Sequence, residues 1–414
     1  MTTTTTEERT PDPPPADLPR ISGHQDALDG VRAVAALAVL VFHVAADTGH
    51  TLRDDPTAWL VSGAGIGVPV FFTLSGLLLY RPWAAALLLD GHDRPRTGRF
   101  LWRRAVRILP AYWLVVVFAM VTILTDHTRD PWTWLKLLTL TYPYDPHPWW
   151  HTYLGPSGLG QMWSLTVEAA WYALLPVTAA LLGRYARRAG EDTGVRARRL
   201  LRGIAVYAAV SFVFTIFMFT PRLSVQLGVF LPRYCAWFAI GMALSVLTVW
   251  ARTGAEAPVR FCRTIARSWG TCWAIAGVLY CVAASPLTGP TDMVTLDSTW
   301  TSELRVLLYG LVAAFFVAPV ALAGPDDAGV HRILGNRVMR FLGRISYGVF
   351  LWQLAVSVTW YRATGHAAFT GGFLTAFPAI TAITLAAATL SFHAIEKPAL
   401  RLTRKRRERR TPPR

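Results

Sequence analysis

The sequence predicts an all-α polytopic membrane protein, a bundle of about ten transmembrane helices with both termini cytoplasmic. Three observations predict it. Hydrophobic residues make up 53% of the 414 and charged residues only 16%, with 17 Trp, whereas soluble domains carry about 25% charged residues. About ten apolar runs approach the ~20 residues that a hydrocarbon core requires of a helix. The basic residues, which bring the formal net charge to +16, cluster in every second connection between those runs, as orientation signals do. A nucleic-acid partner would need a soluble basic face, and none is expected.

The runs fall at about 28–46, 59–80, 107–125, 162–183, 203–220, 229–250, 269–285, 304–323, 341–361 and 372–392. The glycine-rich SGAGIGVP breaks the second. The stretch 132–142 (WTWLKLLTLTY) is too short to span and is expected at the membrane surface. With the N-terminus inside, the inner segments are 1–27, 81–106, 184–202, 251–268, 324–340 and 393–414. Of the 41 Lys and Arg, only Arg53, Arg129, Lys136, Arg222, Arg233, Arg305 and Arg362 then fall outside. The other 34 lie inside or, like Arg32, Arg107 and Arg344, at inner helix ends. The outer connections carry Asp47, Asp54, Asp55, Asp292 and Asp297. A multi-pass protein of a bacterial inner membrane is the expectation.

Residues 1–27 contain Thr, Pro and acids but no apolar core, and read as a disordered cytoplasmic tail. Residues 28–400 read as one transmembrane domain and 401–414 as a basic cytoplasmic tail that fixes topology and attracts anionic lipid. Cys235, Cys262, Cys272 and Cys281 include no CxxC pair. They are expected to be small apolar residues rather than disulfides or metal ligands, and no metal site is expected.

Ionisable groups at membrane depth are costly, and they tend to be functional. His43 lies in the first run and Glu168 in the fourth. His43 is eleven residues beyond Arg32, about 16 Å along a helix. Counted from their helix ends, His43 and Glu168 both fall in the outer half and are expected to meet. A carboxylate beside an imidazole orients it and stabilises its cation, which suits a general base. The plainer alternative is a histidine that hydrogen-bonds a neighbouring helix. On the inner side, RFLWRRAVRILPAYWL places Arg104 and Arg107 three apart on one helical face. Paired guanidiniums bind phosphates; an orientation anchor accounts for them equally well.

Six segments together resemble acyltransferase family 3, the membrane proteins that include polysaccharide O-acetylases and macrolide O-acylases. They are LDGVRAVAALAVLVFH at 28–43, GVPVFFTLSGLLLYRP at 67–82, RRAVRILPAYW at 103–113, MWSLTVEAAWY at 162–172, ISYGVFLWQ at 345–353 and HAIEKPAL at 393–400. The resemblance implies transfer of an acyl group from a thioester, acetyl-CoA in the usual case, to a hydroxyl, usually of a sugar. It implies that Arg32, His43, Arg104 and Arg107 are required and that Glu168 is the family's acidic residue. In one place the chain departs from the family: the ninth-run motif ends in Trp352-Gln353 rather than Trp-His. Glutamine cannot take a proton, which concentrates the expectation of a base on His43.

The expected mechanism has acyl-CoA dock its phosphates on Arg104 and Arg107, with Arg32 nearby, and extend its thioester toward His43. No permanently bound cofactor is expected. His43 takes the proton of an acceptor hydroxyl on a glycan or small glycoside, Glu168 orients the ring, and Ser164, Tyr172 or Tyr347 is a candidate to stabilise the oxyanion. The alternative is a transporter or flippase in which His43 and Glu168 relay protons.

Overall fold

The computed structural model describes residues 18–401, apart from 22, 189, 292–294 and 326. Most of the N-terminal tail, Asp292 and all but Arg401 of the basic C-terminal tail lie outside the described residues. Among those described there are fourteen α-helices and no strand. In chain order they are α1 (Asp26–Asp47), α2 (Pro56–Gly63), α3 (Gly67–Leu88), α4 (Thr97–Thr122), α5 (Pro131–Leu138), α6 (Trp163–Arg187) and α7 (Thr193–Phe219). There follow α8 (Cys235–Ala251), α9 (Glu256–Arg267), α10 (Trp269–Ala284), α11 (Thr299–Leu322), α12 (Ala328–Leu334), α13 (Arg337–Thr364) and α14 (Phe373–Ser391).

Nine helical stretches among the described residues are long and apolar enough to cross a membrane, and a tenth forms if α9 and α10, bent by 71° at their junction, count together. Every expected run therefore has its helix, and the chain is a multi-pass membrane protein. The second run is broken at Gly63–Gly67 between α2 and α3, where the glycines stand. It continues past its expected end to Leu88, which takes Arg81 into the bundle, 5% exposed. The short stretch after residue 130 forms α5. Trp132 and Leu135 are exposed while Thr133 and Leu137 are buried, as suits a helix lying on a boundary. Asp130 caps α5: hydrogen bonds from the Thr133 hydroxyl and the Trp132 amide hold its carboxyl below the usual range. The cysteines are free, three buried and Cys281 exposed.

Two parallel helix pairs build the frame of the site, and small residues allow each to pack closely. A Cβ on Gly343 of α13 would lie 2.1 Å from the carbonyl oxygen of Asp29 on α1. At the other end of this pair the Ser357 hydroxyl donates to the Asp47 carboxylate. In the α3–α8 pair, a Cβ on Gly76 would lie 2.1 Å from Phe238 O, and one on Gly241 1.9 Å from Thr73 O.

The entry to α6 departs from the hydropathy pattern. Leu159, Gln161 and Met162 are already buried before the helix begins at Trp163, in a 3-10 turn over Gly160–Met162. At the far end of the chain, α14 continues into a π-helical turn, Phe392–Glu396, which packs against α4.

Candidate active site

Five helices surround a cavity of about 280 Å³. Its polar lining is Arg32 from α1, Ser75 from α3, Arg104 and Arg107 from α4, Ser164, Glu168 and Tyr172 from α6, and Ser346 and Tyr347 from α13. Seven of the eight residues singled out in the sequence thus meet in one place. His43 is absent from the lining.

Arg104 and Arg107 share a face of α4, as their spacing predicts, and that face is turned to the cavity. Arg107 is exposed and marks the cavity's mouth, whereas Arg104 is partly buried and its Nε has no partner. Arg32 Nη1 donates to Asp29 Oδ1 at 2.6 Å and lies within reach of the Arg107 charge. Glu168 accepts a hydrogen bond from the Ser75 hydroxyl. The Tyr172 hydroxyl lies between Glu168 and Arg104. Tyr347 donates to Ile108 O at 2.8 Å and Ser164 to Gln161 O at 3.2 Å, so both hydroxyl protons are engaged by backbone carbonyls. Glu396, in the π-helical turn, faces Arg107 and Tyr347 and keeps one buried oxygen without a partner.

The expected pairing of His43 with Glu168 does not form. Glu168 belongs to the arginine group, and the His43 ring lies against Gln353 and the Val39 carbonyl. The reason is the buried turn before α6. Gln161 donates to Phe350 O at 3.3 Å and to Leu351 O at 2.8 Å, so it already stands at the depth of Gln353 and His43. Glu168 follows seven residues later, about 10 Å nearer the arginines. Hydropathy starts the run at 162 and places Glu168 too shallow. The proton relay between His43 and Glu168, on which a transporter depends, loses its contact for the same reason.

His43 occupies a second polar layer. At about 100° per residue its eleven-residue offset from Arg32 leaves both on nearly the same face of α1. Gln353, 1% exposed, donates to Phe350 O at 3.1 Å; Gln161 is 2% exposed. His43 Nδ1 and the Oε1 atoms of Gln161 and Gln353 are all buried and unpartnered. Ser164 and Phe350, which line the cavity, stand one helical turn from Gln161 and Gln353.

Ser75, Glu396 and Gln161 were given no role in the sequence. Ser75 and Glu396 sit inside quoted segments, where a serine in an apolar run and a glutamate beside a last run were visible signals. Gln161 gives only a weak one, a single amide ahead of an apolar run. Among the described residues no group of His, Cys, Asp or Glu could hold a metal ion.

The fold is a multi-pass bundle with three guanidiniums lining one cavity, and the family follows: residues 25–393 match the model of the acyltransferase domain, and the chain belongs to that family. Among its relatives, YrhL of Bacillus subtilis, provisionally named a peptidoglycan O-acetyltransferase, is 26% identical over 392 residues, covering 90% of this chain and 54% of YrhL. The peptidoglycan O-acetyltransferase OatA of Listeria monocytogenes is 22% identical over 350 residues, 80% of this chain and 49% of OatA. The chain spans about half the length of these relatives. No solved structure matches.

Proposed function

We propose that the chain transfers an acyl group, acetyl in the usual case, from acyl-CoA to a hydroxyl of an envelope glycan or small glycosylated acceptor. The excess of positive charge carries this proposal: three guanidiniums line the cavity, and Glu168 is the one carboxylate among its lining residues. That excess calls for an anionic ligand. The cavity lies just below the range of about 300–1,000 Å³ typical of ligand sites, so it suits a phosphate group or thioester arm rather than a whole nucleotide. Glu168 would then neutralise and orient Arg104 rather than His43.

His43 remains the general base of this proposal. A thioester arm anchored at the arginines has to reach about 16 Å along α1 to meet it. There His43 takes the proton of the acceptor hydroxyl, whose oxygen attacks the thioester carbonyl carbon. The carbon–sulfur bond breaks, and the leaving thiolate takes up the proton that His43 holds, which returns the imidazole to its neutral form. Two relatives named for peptidoglycan O-acetylation support a peptidoglycan-type acceptor. The catalytic unit would be 28–400, flanked by cytoplasmic tails at 1–27 and 401–414.

Membranes containing the full chain, incubated with radiolabelled acetyl-CoA and longer acyl-CoAs, are expected to label glycans or glycosides identified by mass spectrometry. Absence of label on any glycan, glycoside or small alcohol, with the donor intact, would overturn the proposal.

A further inference from the structure

The two glutamines beside His43 are held in one orientation. Both Nε2 atoms donate to the same carbonyl, Phe350 O, and Gln161 also donates to Leu351 O. A flipped amide would put its oxygen against a carbonyl oxygen, acceptor against acceptor, so the assignment of N and O follows from the contacts. Each Oε1 therefore points away from that anchor, and each is buried without a donor. The shared anchor keeps the two side chains close together, and His43 lies against one of them.

We infer that Gln161 and Gln353 form an acceptor subsite whose two amide oxygens receive hydroxyl groups of a polyol beside His43. This rests on the transfer reaction proposed above and adds the residues that select its acceptor. Carbonyl oxygens bond only to donors. The pair thus selects O–H groups and disfavours phosphates and carboxylates, which bring only acceptors. The ligand preferred here is the converse of the one preferred at the arginines. The geometry asks for an acceptor with neighbouring hydroxyls: one donates its proton to His43 and reacts, and another donates to Gln353 or Gln161 and holds the first in place. The family's histidine at position 353 would offer one ring nitrogen there, while glutamine offers a fixed oxygen acceptor.

The test compares propane-1,2-diol with propan-1-ol as minimal acceptors, using full-chain protein and acetyl-CoA, and measures methyl glucoside binding separately by saturation-transfer NMR. The wild type is expected to acylate the diol at least about 10-fold more efficiently, because a site built to bind a hydroxyl discriminates against its absence. Gln353→Met and Gln161→Leu should lose this preference and the glucoside signal, with KM for acetyl-CoA within twofold of wild type. A preference retained in both variants, or no preference in the wild type, overturns the inference. If a variant fails to fold, the wild-type pair of alcohols decides. If acetyl-CoA is never consumed, the transfer reaction fails, and the NMR arm still decides the subsite: glucoside binding that is absent in wild type or unchanged in the variants rejects it.

Discussion

The cavity around Arg32 and the layer around His43 stand on one face of α1, and they offer a ligand opposite things. The cavity presents guanidinium donors, partly neutralised by Glu168 and Asp29. The layer holds two amide oxygens and an imidazole, with no formal charge among the groups named. A charged, phosphate-bearing donor and a neutral hydroxyl acceptor differ in the same way. A site for two substrates gains specificity when each half refuses the other's ligand.

The largest effect should come from the layer. His43→Ala is expected to lower acyl transfer by about 10²- to 10⁴-fold, the usual weight of a general base, while membrane insertion and KM for acetyl-CoA persist. Wild-type turnover in this variant would remove the layer from the chemistry. Next comes the cavity. Arg107→Ala should raise KM for acetyl-CoA about 10- to 100-fold, from a charge-assisted hydrogen bond worth about 1.5–3 kcal/mol, and leave acceptor KM alone. If the acceptor KM moves instead, the two regions have been given the wrong substrates.

A double-mutant cycle sharpens the boundary between them. Arg104→Ala and Glu168→Gln should couple by about 0.5–3 kcal/mol in transfer rate, whereas His43→Ala and Glu168→Gln should add within about 0.5 kcal/mol. Strong coupling in the second pair would restore the contact that the buried turn prevents. The smallest effect lies outside both regions and serves as a baseline. The Thr57 hydroxyl and the Ala58 and Thr57 amides hold the Asp55 carboxyl, the cap of α2, at about 2. A carboxyl lowered on folding stabilises above its unfolded value of about 4 and loses that contribution as pH falls toward 2. Asp55→Ala should therefore lower the thermal midpoint slightly at pH 7, and the difference from wild type should shrink below pH 4. An unchanged difference at pH 3 would mean that the cap does not act through its charge.

Much of this arrangement is legible in the sequence, for physical reasons. Apolar runs of membrane length mark the helices because the hydrocarbon core enforces their length, and Gly63–Gly67 announces its own break. Arg104 and Arg107 share a face because helical period is local. Depth is harder to read. Gln161 enters the bundle in a 3-10 turn that its own side-chain amide ties to α13, and that polar amide hides the turn from hydropathy. The error of about 10 Å at Glu168 begins there. Arg233 and Arg305, placed on the outer side by the charge pattern, find partners within the protein: Ser302 at 2.8 Å and Asp297 at 2.7 Å, contacts that no spacing along the chain foretells.

The clamp between α1 and α13 has one more consequence. With Gly343 pressed on Asp29 at one end and Ser357 tied to Asp47 at the other, the two rods cannot slide past each other to suit a longer or shorter guest. The interval from Arg32 to His43 is then a fixed gauge. Any tolerance for bulkier acyl tails has to be found sideways, among α3, α6 and the lipid beyond, rather than along the axis of the first helix.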